Sequence, residues 1–114
     1  MIKLIASDID GTLLPEGTHR LNPEIFQVIQ KLKEKGVLFA AASGRHYISM
    51  SRLFEPVKND IIFITENGSY VNCRGYTMLE NRIVWAYVQE WIRLGRDFPA
   101  DSFTLFSYEC FYTD

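Results

Sequence analysis

"ASDIDGTLLPEG", Ala6 to Gly17, sets two carboxylates one residue apart, Asp8 and Asp10, and then a glycine and a threonine, directly after the apolar run Ile2 to Ala6. Like charges this close repel and resist desolvation, so a fold that keeps both has a cation or a reaction to offer them. Working outward, Ile2 to Ser7 has the content of a short buried strand, and Pro15, Gly17 and Thr18 mark the loop after it. Asn22 then predicts a helix N-cap, with Pro23 at the first helical position and Glu24 at the positive end. Ile25, Val28, Ile29 and Leu32 recur on one face of that helix, Lys33 and Lys35 sit near its end, and Gly36 stops it. "VLFAAA", Val37 to Ala42, is a continuous apolar run, as expected of a strand covered on both faces of a parallel sheet. Ser43 and Gly44 open a second helix that carries Ile48, Met50, Leu53 and Phe54 and is closed by Pro56. "IIFI", Ile61 to Ile64, is a third buried strand and runs into "TENG", Thr65 to Gly68.

The order β-α-β-α-β predicts an α/β fold with a parallel sheet, and in such sheets ligands sit at the carboxyl ends of the strands. Asp8, Asp10, Ser43, Gly44, Glu66 and Asn67 all fall at that end. After Gly68 the texture changes. "SYVNCRGYTML" alternates like a hairpin turning near Arg74 and Gly75, and Ile83 to Leu94 makes an amphipathic helix with Trp85, Val88, Trp91 and Ile92. "SFTLFSYECFYTD" reads as one or two aromatic-rich strands. The expected division is residues 1–80 and 81–114, with the boundary around Met78 to Arg82.

Composition narrows the partners. The 114 residues are 47% hydrophobic and 23% charged, which fits one ordinary globular core. A net charge of −2 with both signs interspersed offers no basic field for nucleic acid and no polybasic membrane patch. The first apolar run breaks at Ser7 and Asp8, too soon for a signal-peptide core or a bilayer span, which predicts a cytoplasmic protein. Cys73 and Cys110 lie far apart, outside any metal spacing, and read as two reduced thiols.

The grouped residues suit phosphoryl transfer. A strand-end carboxylate beside a divalent cation can attack phosphorus, because the metal offsets the repulsion between carboxylate and phosphate. If the strand geometry persists, a second carboxylate two residues on points the same way and can act as general acid and base. Gly11 lets the backbone approach a phosphate and Thr12 brings a hydroxyl, while Ser43 and Gly44 at a helix start aim a hydroxyl and N–H groups at the same anion. Each residue also has a plainer reading. Asp10-Gly11 and Asn67-Gly68 are turn dipeptides, Ser43 is a routine helix cap and Arg45 a surface cation. His19 and His46 read as surface residues without metal-ligand company, and Trp85 and Trp91 as a helix face packed on a sheet. An EF-hand fits worse, because Leu13 and His19 stand where its glycine and glutamate belong.

"DIDGTLL" after the first strand, "ASGR" after the second and "ENGSYV" after the third together resemble the haloacid dehalogenase (HAD) superfamily, over about Met1 to Val71. Within it they are most similar to the Cof-type sugar-phosphate phosphatases. The resemblance implies a Rossmann-like core, a parallel sheet in a three-layer α/β/α sandwich, and hydrolysis of small phosphorylated metabolites through an aspartyl-phosphate. It implies that Asp8 is the nucleophile and Asp10 the acid and base, with magnesium on the Asp8 carboxylate and the Asp10 carbonyl. Ser43 matches the serine or threonine that binds the phosphoryl group, with Gly44 beside it; Gly11, Thr12 and Arg45 join the phosphate side and Asn67 the substrate side. From about Arg82 the chain resembles the beginning of the α/β cap that selects substrate.

Two expected features have no match. A phosphate-orienting lysine and a later acidic motif follow the cap in this family, whereas Lys3, Lys31, Lys33, Lys35 and Lys58 all miss the predicted strand carboxyl ends and Asp60 precedes its strand. The chain is therefore expected to be an N-terminal piece with an incomplete core, binding magnesium weakly and turning over poorly. Its first strand would expose an apolar edge that invites pairing with another copy. Two other classes compete: a receiver domain, which expects an aspartate after the third strand where this chain has "ITEN", and a non-catalytic interaction module that keeps the fold.

Overall fold

The computed structural model describes residues 1–98, 104–107 and 111–113. They form two compact units, Met1–Glu80 and Asn81–Asp114. The first is built from β1 (Leu4–Asp8), α1 (Glu24–Glu34), β2 (Leu38–Ala42), α2 (Tyr47–Leu53), β3 (Ile62–Thr65), β4 (Tyr70–Cys73) and β5 (Tyr76–Glu80), with 3-10 turns at Glu55–Val57 and Glu66–Gly68. The strands make one sheet in the order β1-β2-β3-β4-β5. The first three are parallel, with Asp8 beside Ala42 and Ala42 beside Ile64, so their carboxyl ends are level. The hairpin β4–β5 continues the sheet antiparallel, which makes it mixed.

Alternation along the central strands decides where the core lies. Phe39, Ala41, Phe63 and Thr65 are buried on one face, joined by Ile29 from α1, Met50 from α2 and Ile9. Phe54 locks this layer: it is fully buried, and its ring lies 6.5 Å from Phe26, 6.4 Å from Phe39 and 6.1 Å from Phe63. Burying one such side chain stabilises by about 1.5–3 kcal/mol, so this phenylalanine fastens both helices to the same face of the sheet. Of the α/β/α sandwich, the described residues supply the sheet and this helical layer. β1 stands at the edge with Leu4 and Ile5 exposed.

Local chemistry accounts for most element ends. The Asn22 carboxamide accepts the Glu24 N–H at 3.0 Å, so α1 begins one residue after the expected proline. Gly36, at φ +70°, terminates it. Arg74 (φ 52°) and Gly75 (φ 86°) form the two-residue hairpin turn, and Asn72 Oδ1 accepts the Gly75 N–H at 3.0 Å.

α2 departs from expectation. It starts at Tyr47 rather than at Ser43 and Gly44, because the Ser43 backbone is already engaged elsewhere. Ser43 donates its N–H to the Ile64 carbonyl at 2.9 Å and its carbonyl accepts the Asn67 N–H at 3.4 Å. His46, in an extended conformation, is the actual cap, its Nδ1 accepting the Ile48 N–H at 3.3 Å. His46 is consequently 5% exposed, which corrects its assignment to the surface. His19 is exposed as expected.

The second unit holds α3 (Trp85–Asp97) and an antiparallel pair, β6 (Thr104–Phe106) and β7 (Phe111–Thr113). Trp85 and Trp91 are both largely exposed, contrary to their expected packing on a sheet. Six residues apart, they stand about 120° apart on the helix and flank the half-buried stripe Val88, Ile92 and Gly95. Cys73 is a free thiol, and the Cys110 thiol lies outside the described residues, as does the rest of the aromatic stretch expected to be strand.

Candidate functional site

β1 ends at Asp8, and the chain turns at once. The Ile9 carbonyl accepts the N–H groups of Thr12, Leu13 and Leu14 at 2.9–3.1 Å, while Gly11 donates to the Leu14 carbonyl at 2.9 Å from φ +78°, a conformation suited to glycine. Ile9 is fully buried and anchors the turn. The strand geometry that would have carried Asp10 parallel to Asp8 therefore stops two residues short of Asp10. Asp10 is oriented by Arg45 instead: Nε donates to Oδ2 at 3.0 Å and Nη2 to Oδ1 at 2.6 Å, a two-pronged guanidinium–carboxylate pair, and Ser43 Oγ lies 3.5 Å from Oδ2. The Arg45 hydrogen bonds, more than the opposing desolvation, hold the Asp10 carboxyl below its usual range and raise the guanidinium in return.

Ser43 keeps its cap-like behaviour on a smaller scale, its Oγ accepting the Arg45 N–H at 3.1 Å. Across the loop, Asn67 is pressed against Gly44: a β-carbon at Gly44 would stand 2.9 Å from Asn67 Oδ1. The turn that delivers Asn67 is unusual, with Glu66 at φ 53°, Asn67 at φ 55° and Gly68 at φ 89° in succession. It is held down by Glu66 N–H on the Arg45 carbonyl at 3.1 Å, besides the Asn67–Ser43 bond.

The structure thus unites Asp10, Ser43 and Arg45 through side chains, and Gly44 with Asn67 through close approach. Asp8 reaches the same sheet end through register. Its carboxylate has no side-chain partner among the described residues, and no described contact joins Gly11 or Thr12 to Ser43 and Arg45. Sequence reasoning missed His46 and left Glu66 without a role. Its imidazole Nε2 faces the Glu66 carboxylate at 3.6 Å, and no local pattern announces a contact between residues on different loops. Asp60 lies at the opposite edge as expected, accepting from Lys33 Nζ at 2.5 Å and Gln30 Nε2 at 3.1 Å.

Two oxygens at the end of β1 suit a hard divalent cation: the Asp8 carboxylate and the Asp10 carbonyl, which takes no backbone N–H within the turn. The Asp10 carboxylate is already matched by Arg45. Among the described residues no group of three His, Cys, Asp or Glu side chains could hold a metal, so such an ion would rest on few protein ligands and keep several waters.

The family model for haloacid dehalogenase-like hydrolases matches residues 5–114. The chain belongs to that family. A 5-amino-6-(5-phospho-D-ribitylamino)uracil phosphatase of Escherichia coli is 36% identical to it over 74 residues, covering 65% of this chain and 27% of the relative. An HMP-PP phosphatase of Citrobacter koseri is 32% identical over 82 residues, covering 72% and 30%. A crystal structure from Eubacterium rectale shares 37% identity with a TM-score of 0.79, covering 91% of this chain and 40% of its own. The chain thus spans less than a third of the curated relatives, and the fold is an incomplete α/β HAD core. Among the described residues no helix is long and apolar enough to cross a membrane.

Proposed function

We propose that this HAD core carries the phosphoryl-transfer end of a magnesium-dependent phosphatase for small phosphate monoesters, sugar phosphates foremost, working through an aspartyl-phosphate in the cytoplasm. The observation that carries the reading is the Asp8 carboxylate at the end of β1, without a side-chain partner among the described residues and level with the strand end from which Ser43 and Arg45 reach Asp10. Magnesium, on the Asp8 carboxylate and the Asp10 carbonyl, would neutralise charge between nucleophile and phosphate. An Asp8 oxygen forms a bond to phosphorus as the ester P–O bond breaks, and the leaving oxygen takes a proton from Asp10. Water then attacks the aspartyl-phosphate, giving its proton to Asp10, and the P–O bond to Asp8 breaks to release inorganic phosphate.

That sequence requires Asp10 to hold a proton, which the Arg45 pair opposes. A phosphoryl dianion competes for the same guanidinium, so transfer of Arg45 from Asp10 to phosphate would both bind substrate and free Asp10 for its proton. Ser43, Gly11, Thr12 and the Gly44 backbone complete the phosphate side, and Asn67 borders the substrate. The region from Asn81 onward is proposed as the start of the substrate-selecting cap. No lysine stands in the loops at this end of the sheet: Lys3 precedes β1, Lys31, Lys33 and Lys35 lie at the end of α1, and Lys58 precedes β3. Turnover by these 114 residues is therefore expected to be slow. The phosphatase names of the relatives support the reaction class. A non-catalytic form of the same core would take up phosphate without turning anything over, and the exposed β1 edge favours pairing with a second copy.

The test is hydrolysis of p-nitrophenyl phosphate with and without magnesium. Asp8→Asn is expected to abolish magnesium-dependent turnover without altering the circular dichroism spectrum; an Asp8→Asn variant as active as wild type sinks the nucleophile assignment.

A further inference from the structure

We infer that His46 and Glu66 form a positioning clamp that holds the Ser43–Arg45 loop and the Glu66–Gly68 turn together, and so presents Arg45 and Asn67 to the phosphate site. Its link to phosphate rests on the phosphatase reading above; the clamp itself rests on geometry. The His46 imidazole is 5% exposed, and both of its nitrogens face named groups. Nδ1 accepts the Ile48 N–H at the start of α2, which puts the ring proton on Nε2, and Nε2 faces Glu66 Oε1 at 3.6 Å. The side-chain contact runs beside a backbone one, the Glu66 N–H donating to the Arg45 carbonyl at 3.1 Å.

Glu66 occupies φ 53°, a backbone region unfavourable to a residue with a side chain, which persists only where its surroundings over-determine it. The His46 contact is one such determinant, and the Asn67–Ser43 bond and the Asn67–Gly44 approach depend on the same turn. A buried imidazole is costly to desolvate and does none of the chemistry assigned to the site. Its geometry gives it a use in place of that chemistry: it caps α2 with one nitrogen and steadies the turn with the other. His46 is thus a positioning residue, acting on phosphate only through Arg45 and Asn67.

His46→Asn keeps a side-chain cap for α2 and removes the contact to Glu66; Glu66→Gln keeps the shape and removes the charge. Amide hydrogen exchange of the 114-residue chain is measured residue by residue, with inorganic phosphate titrated by chemical shift. The clamp predicts exchange at Glu66 and Asn67 about tenfold faster in His46→Asn, with β2 and β3 unchanged, and threefold to tenfold weaker phosphate binding. It also predicts that adding Glu66→Gln to His46→Asn changes little further, because both remove one interaction. Unchanged exchange at Glu66 and Asn67 in both single variants overturns the clamp. If wild type takes up no phosphate, the functional reading falls and the exchange data alone decide: faster exchange confined to the turn upholds the clamp, and unchanged exchange overturns it.

Discussion

Gly44 sits where a single methyl group decides whether two loops can touch. A β-carbon there would stand 2.9 Å from Asn67 Oδ1, so Gly44→Ala must push the carboxamide away or lift the turn. The expected cost is about 1–2 kcal/mol, read as a lower urea midpoint. Gly44→Ala should cost much less in an Asn67→Ala background than in wild type, which a mere loss of glycine flexibility would not allow. Arg45 makes the complementary case for charge. Its two-pronged pair keeps the Asp10 carboxyl low, so Arg45→Ala should let Asp10 titrate back towards the usual carboxylate range, about 3.9. A carboxyl carbon shift titration checks this, and an Asp10 midpoint that stays put would refute the pairing in solution. The spacing of Asp8, Asp10 and Ser43 was legible because strand ends gather residues by topology alone. The Asp10–Arg45 pair was not, since it joins side chains 35 residues apart on two loops.

Among elements, the ends set by neighbours along the chain were readable and those set across space were not. Asn22 bounds α1 through its side-chain carboxamide and Gly36 through its positive φ, and Arg74-Gly75 turns the hairpin through its positive φ angles. α2 began three residues late because Ser43 bonds to β3 and its following turn, and the burial of His46 followed from that shift. The same distinction gives Asp60 its function. It precedes β3 and ties that strand to α1 through Lys33 and Gln30, which together hold its carboxyl below the usual range. A carboxyl lowered in the folded state stabilises fully above the unfolded value, near 3.9, and the contribution disappears as pH falls through the lower folded value. Asp60→Asn should therefore flatten the acid side of the stability curve below about pH 4. Urea midpoints from about pH 2.5 to 6 test it, and identical acid slopes for variant and wild type would count against the tie.

Across the first unit, the sheet has two edge strands, β1 and β5, and each pairs with one neighbour among the described residues. β5 ends in Glu80, whereas β1 turns unpaired N–H and C=O groups outward beside exposed Leu4 and Ile5. Such an edge is a template for another strand, and natural edges are blunted by charge where pairing must be avoided. Between Leu4 and Ser7 this strand carries no charged residue. The edge also borders the site, because Asp8 is the last residue of the exposed strand. The protein should therefore self-associate as its concentration rises, and Leu4→Lys should reduce that association without lowering the thermal midpoint by more than about 1–2 °C, since Leu4 is 48% exposed. Sedimentation velocity over a hundredfold concentration range reads both. If phosphate binding strengthens in step with association in wild type and the variant loses both effects, the strand that covers β1 also supports Asp8; a wild-type chain that stays monomeric throughout leaves the edge solvated and removes the pairing from the mechanism.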